Sequence, residues 1–167
     1  MYRRIEDFLH SWEYEAASTS KIIGSLTEAV RGQAIAPGHR TLDRLAWHLA
    51  QSVPEMMSQT GLPVAGVDPH APVPAKVAAI KKAYDDASAS LVKAMKSSWN
   101  DGTLEIEDNM YGQTWKRGAT LTALVMHQAH HRGQMTVLLR QAGLKVPGIY
   151  GPALEEWAAY GQPAPQV

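Results

Sequence analysis

Three histidines fall within five residues in the segment His127-Gln128-Ala129-His130-His131-Arg132-Gly133-Gln134, inside a stretch whose apolar residues recur at helical spacing. On a helix, residues four apart stack on one face about 6 Å apart along the axis, so two imidazoles spaced i, i+4 can bind one metal ion. His127 and His131 have that spacing, but His130 is three residues from His127, and helical phase has to decide between them. At roughly 100° per residue, the stripe of Leu121, Leu124, Met135, Leu138 and Ala142 centres near Leu124, with His131 about 20° from that direction and His130 about 120° away. His131 is therefore expected to point inward and His130 outward. A lone histidine is ordinarily a satisfied core or surface side chain. Two buried neutral imidazoles each need partners for both nitrogens, and a shared metal supplies one partner to each.

Zinc and nickel accept three imidazoles and leave a position open for water or substrate. The chain has no cysteine, so any metal must be held by His, Asp or Glu. The candidates for a third ligand are His10, His39, His48 and His70. His39 and His70 lie in connectors rich in proline and glycine, and His10 should face away from its helix stripe. His48, beside the stripe of Leu45, Leu49 and Ser52, is the best of them, its offset suiting a ligand at the mouth of a cleft. Glu55, seven residues after His48, either orients a ligand, accepts a proton, or is a solvated surface charge. Gln134, one turn beyond His131, hydrogen-bonds a ligand or substrate, or only packs.

Gln128 stands where zinc proteases of the His-Glu-x-x-His type carry their general base, which argues against that chemistry. No nucleophile elbow, phosphate loop or dinucleotide fingerprint supports a serine hydrolase, an NTPase or a Rossmann enzyme. Met56, Met57, Met126 and Met135 are expected to fill gaps in the core.

These residues must be positioned by helices. Apolar residues at three- and four-residue spacing predict helices over Tyr2 to about Val30, Leu42 to Ser58, Ala75 to Ser97 and Thr120 to Ala142. Thr41 is placed to cap the second helix, Pro54 to kink or end it, and Gly143 to take the left-handed position after the fourth. Residues 61–74 should form an extended connector passing over the bundle end. Leu104-Glu105-Ile106-Glu107 alternates with period two and is expected to pair with Gln113 to Lys116 in a small hairpin. A short fifth helix, Pro152 to Tyr160, precedes a Pro/Gln tail. The fold class expected is an all-α four-helix bundle forming one domain over residues 1–160, with 161–167 as a tail.

Composition narrows the partners. The 16 basic and 16 acidic side chains cancel, so the chain lacks the basic surplus that nucleic-acid binding requires. The longest nearly apolar stretch, Leu121 to Met126, is far below the roughly 20 residues of a membrane span. Met1 to Tyr14, carrying Arg3, Arg4, Glu6, Asp7 and Glu13, lacks the unbroken apolar run of a secretory signal, so the cytoplasm is the expected location.

The second helix as Thr41-Leu42-Asp43-Arg44-Leu45-Ala46-Trp47-His48-Leu49, followed by His127-Gln-Ala-His130-His131-Arg-Gly-Gln134, then Leu139-Arg140-Gln-Ala-Gly143 and Pro147, resembles the DinB/YfiT-like superfamily of metal-dependent enzymes. The likeness covers nearly the whole chain. It implies a four-helix bundle, often a homodimer, with a divalent ion, commonly nickel or zinc, on the histidines that match His48, His127 and His131. It also implies relatives that transfer low-molecular-weight thiols or isomerise maleylpyruvate with a thiol cofactor. The name DinB refers to induction by DNA damage and does not imply DNA binding. The expected function is a metal-dependent thiol S-transferase or thiol-dependent isomerase acting on a small electrophile, with a metal-dependent hydrolase or a non-catalytic metal-binding bundle as alternatives. Arg132 and Arg140 are expected to hold carboxylates from neighbouring helices, and Gly133 to permit close helix approach near the metal.

Overall fold

The computed structural model describes residues 1–166. Its frame is four helices, α1 (Ile5–Gly24), α2 (Leu42–Ser58), α3 (Val77–Ser98) and α4 (Arg117–Gln141), with a two-stranded hairpin before α4 and 3₁₀ helices at Asp101–Glu105 and Leu154–Tyr160. Going round the bundle, α1 packs on α3 and α4, and α2 packs on the same two, so α1 and α2 occupy opposite corners. The segment joining them, residues 25–41, therefore has to cross the bundle. Phe8, Trp12, Leu49, Met57, Ile80, Leu91, Leu124 and Met135 are fully withdrawn from solvent along the central axis. No helix among the described residues is long and apolar enough to cross a membrane.

The first helix ends at Gly24, short of the Val30 expected from apolar spacing. Tertiary contacts turn the chain away: Arg31 bonds Asp43 of α2 at 2.8 Å and the Pro74 carbonyl at 2.7 Å. The same crossing caps α2. Leu42 and Asp43, whose N–H groups have no partner within the helix, donate to the carbonyls of Gln33 and Arg31. Thr41 occupies the cap position but its hydroxyl bonds Asp43 instead, because the backbone has already been satisfied. Pro54 neither ends α2 nor shortens it, and the helix runs on to Ser58. The connector of residues 61–74 lies along α2 rather than over the bundle end. The Gln51 amide donates to the carbonyls of Asp68 and Pro69, and the Trp47 indole donates to that of Ala71.

The hairpin is present, with its first strand displaced from expectation. Strand β1 (Glu107–Met110) pairs with β2 (Gln113–Lys116), Glu107 opposite Lys116 and Met110 opposite Gln113. Leu104 and Glu105 are drawn into the preceding 3₁₀ helix by a reciprocal pair of bonds between Asn100 and Thr103, which buries Leu104 and moves the strand downstream. The turn residues Tyr111 and Gly112 both have positive φ, 56° and 83°, as a type I′ turn requires.

At the end of α4, Gly143 has φ 78° and its N–H bonds the Arg140 carbonyl, while the Leu144 N–H reaches back to Leu139. This double closure is the Schellman arrangement. Met56, Met57 and Met135 are core residues as expected, but Met126 is 66% exposed. It lies about 200° round α4 from Leu124, on the side away from the stripe.

Arg132 and Arg140 do hold carboxylates, those of Glu15 and Glu155. Gly133 does not serve helix approach: a Cβ built on it meets no atom within 4 Å. The close contact belongs to Gly118, where a Cβ would lie 2.2 Å from the Tyr2 carbonyl oxygen. Gly118→Ala should therefore cost about 1–3 kcal/mol, the scale of an overpacked site, whereas Gly133→Ala should be neutral or stabilise by up to about 1 kcal/mol through helix propensity. Denaturant midpoints of the two variants check both signs; a stable Gly118→Ala protein would contradict the packing.

Candidate metal centre

The three expected histidines meet. One ligand nitrogen from each of His48, His127 and His131 lies within 4.8 Å of the others. The His48 and His127 Nε2 atoms are 3.1 Å apart, and the three ring centroids are 4.5 to 4.9 Å from one another. Two imidazole nitrogens bound to one tetrahedral ion at 2.0–2.1 Å would stand about 3.3 Å apart. The donor set fits that demand, and it comes from antiparallel helices whose contact is fixed next to the rings. There the buried Gln128 amide of α4 donates to the Ser52 hydroxyl at 3.1 Å and to the Leu49 carbonyl of α2. Gln128 thus faces α2 and the core.

Gln134 settles the tautomer of His131. Its amide nitrogen faces the His130 Nε2 at 3.1 Å, leaving its Oε1 to accept the His131 Nδ1–H at 2.7 Å. The proton on Nδ1 leaves the His131 Nε2 lone pair free to point at the other two rings. The Nδ1 of His127 is buried and has no hydrogen-bond partner among the described residues.

Electrostatics keep the rings neutral. Burial pushes His48 down to about 3, helped by the Arg40 charge, by the neighbouring His131 and His127, and by Arg44. Burial likewise lowers His127 to about 4, with His131, His130 and Arg40 adding to the effect. His131 is lowered too, burial outweighing the opposing bond to Gln134. At neutral pH all three rings are uncharged, the form in which imidazole can ligate a cation.

A cavity of about 350 Å³ reaches the group at His131, its other walls being Ile35, His39, Arg40, Leu45, Gln134, Val137 and Leu138. Its volume is at the lower end for small-molecule sites. Its wall includes the segment that crosses from α1 to α2.

His130 is exposed, as the helical phase requires, and His10, His39 and His70 are exposed as well. Glu55 does not join the group. Its carboxylate accepts the Tyr111 hydroxyl at the hairpin tip, 2.8 Å away, about two helical turns from His48. Arg40 and the Ser52–Gln128 contact were missed by reasoning from the sequence. Ser52, a small polar residue within the apolar stripe of α2, was the available signal for the latter; Arg40 carried none.

The fold and this histidine group define a helical-bundle protein with a site that could hold a metal ion. The chain belongs to the DinB family, whose model matches residues 1–166. It is 45% identical over 167 residues to the uncharacterised protein YrdA of Bacillus subtilis, with both chains fully covered. A crystal structure of a DinB-like protein from Bacillus cereus matches with a TM-score of 0.86 and 44% identity, covering 90% of this chain and 100% of that one. The DinB-like protein YjoA of Bacillus subtilis, 14% identical, has the same fold, with a TM-score of 0.68 over 88% of this chain and 99% of its own.

The depressed imidazoles also make stability depend on pH. An unfolded histidine titrates near 6.5, so below that value the unfolded chain takes up protons that the folded metal-free protein refuses until about 4 and about 3 at His127 and His48. Stability of metal-free protein should be complete above about pH 6.5 and fall as the pH drops toward 4. Urea midpoints at pH 7.5 and pH 5 test this. The drop should shrink in His48→Gln and His127→Gln; an equal drop in these variants would contradict the assigned shifts.

Proposed function

We propose that this protein is a divalent-metal-dependent enzyme in which His48, His127 and His131 hold one zinc or nickel ion. In this reading it acts on a small electrophile with a low-molecular-weight thiol, as an S-transferase or a thiol-dependent isomerase. The observation that carries it is the convergence of three neutral imidazoles beside a cavity large enough for a small molecule. A divalent ion held there supplies Lewis-acid chemistry, lowering the pKa of a thiol or water that reaches it.

The chain's own groups have limited parts. His48, His127 and His131 supply the lone pairs, and Gln134 holds the His131 ring in the tautomer that exposes Nε2. Ile35, Leu45, Val137 and Leu138 give the cavity apolar walls. With no cysteine in the chain, a sulfur nucleophile has to arrive with the cosubstrate. The absence of a nearby carboxylate base favours thiol transfer over hydrolysis: Gln128 faces the core and Glu55 is bound to Tyr111. The same reading puts the protein in the cytoplasm as a homodimer, an assembly that would cover the exposed Met126 of α4.

Metal content tests the site. In protein purified without a histidine tag, His48→Ala, His127→Ala and His131→Ala should each lose most bound metal, His130→Ala should keep it, and Gln134→Ala should bind about 10–100-fold more weakly. Full metal in His131→Ala would end the assignment.

Rates test the reaction. Metal-loaded protein should accelerate addition of small thiols to electrophiles at neutral pH, and neither metal-free protein nor His48→Ala should do so. Metal-dependent hydrolysis without thiol dependence would replace the transferase with a hydrolase. Bound metal with no turnover across the panel would leave a non-catalytic binding bundle.

A further inference from the structure

Of this chain's eight arginines five are matched to carboxylates and three are not among the described residues, one of the three being the exposed Arg3 near the amino terminus. Arg4, Arg31, Arg117, Arg132 and Arg140 each pair with a carboxylate, at Glu6, Asp43, Asp108, Glu15 and Glu155. Arg40 and Arg44, next to the histidine group, pair with none among the described residues. Arg44 donates instead to the neutral Gln51 amide at 2.8 Å, and Arg40, exposed, lines the cavity beside His131 and Gln134. The Arg40 charge is felt by all three rings of the site. No aspartate or glutamate lines that cavity, whose remaining walls are largely aliphatic.

A guanidinium presents its N–H groups in a flat fork that matches two oxygens of one anion, and a fork left unpaired at the rim of an apolar cavity is a recognition group without a partner. We propose that Arg40 selects the substrate, binding the carboxylate of a small carboxylic acid. The acid's apolar body lies against Ile35, Leu45, Val137 and Leu138, and its reacting end is directed at the histidine group. A carboxylate suits the site better than a phosphate. One fork satisfies its single charge, whereas a phosphate dianion would require further cationic donors that the cavity wall does not offer. Arg40 is thus a specificity residue on the segment that crosses the bundle, and Ile35, 57% exposed on that segment, gains a surface to cover.

This proposal rests on the metal reading for its direction of approach, but the binding step can be measured without metal. Benzoate, its neutral analogue benzamide and phenyl phosphate are titrated into wild type, Arg40→Gln and Arg40→Lys, each metal-free and zinc-loaded, with affinities from calorimetry or ligand-observed NMR. Wild type should bind benzoate about tenfold or more tightly over benzamide in both forms, the scale of one charge-assisted contact. Arg40→Gln should lose that preference with zinc content unchanged, and Arg40→Lys should keep part of it. Equal benzoate affinity in Arg40→Gln overturns the proposal. So does benzoate binding confined to zinc-loaded protein and indifferent to Arg40, which would put the carboxylate on the ion. Tighter binding of phenyl phosphate than of benzoate overturns the choice of anion. Failure of the protein to take up zinc would defeat the metal reading alone, because the metal-free titration still decides the role of Arg40.

Discussion

A guanidinium cannot be left uncompensated in a protein core, and Arg132 is 2% exposed. Its partners fix the rotation of α4. The Glu15 carboxylate of α1 is 2.7 Å away, the Glu15 carbonyl and Thr19 hydroxyl accept further bonds, and the Tyr150 hydroxyl joins the same carboxylate. Once Arg132 is committed to α1, the residue before it must face another way. That residue is His131, turned by about 100° toward α2. The buried ion pair holds the site in place although neither of its members enters it. Tyr150 extends the constraint to the chain after α4, tying that segment to the α1 side of the bundle.

A second contact, uncharged, holds the adjoining face of α4 against α2. Gln128 has Arg132 one turn later in the chain, but it reaches α2 through Ser52 and the Leu49 carbonyl. Between these two anchors α4 has little freedom to rotate or slide, which is what convergent imidazoles need. Metal sites built on facing helices of a bundle depend on this kind of fixed register. The three imidazoles converge through the packing of α2 on α4, and burial holds His48 and His127 in the neutral form. Some of the cost of that arrangement is visible in the buried, unpartnered Nδ1 of His127.

Much of this was legible in the sequence because helices announce themselves by period. The inward direction of His131 and the outward direction of His130 follow from their angles to Leu124, and the bundle honours both. His48 could be chosen by elimination, since the other histidines sat in connectors or on an outer face. What failed were inferences about partners distant in the chain. The end of α1 is dictated by Arg31 reaching Asp43 and Pro74, the first hairpin strand by the Asn100–Thr103 closure, and the Glu55 contact by a tyrosine at a turn tip. Gly133 looked like a packing residue by its neighbourhood in sequence, yet Gly118 has that role because the amino-terminal segment runs past it, Tyr2 donating to its carbonyl.

Net charge describes the chain as a whole and says little about the site. The 16 cations and 16 anions balance over the chain, but five arginines are already matched to carboxylates in place. Arg40 and Arg44 act on the histidine group, and neither is paired with an acid among the described residues. A global sum of zero therefore coexists with a local positive field, and it is the local field a small molecule meets within a Debye length of about 8–10 Å. On the proposed role of Arg40, a chain of zero net charge would still draw a single anionic group into one cavity. That distinction between summed and local charge is set by the fold: α1 and α2 occupy opposite corners, so the chain must cross between them and carry Arg40 past the rings.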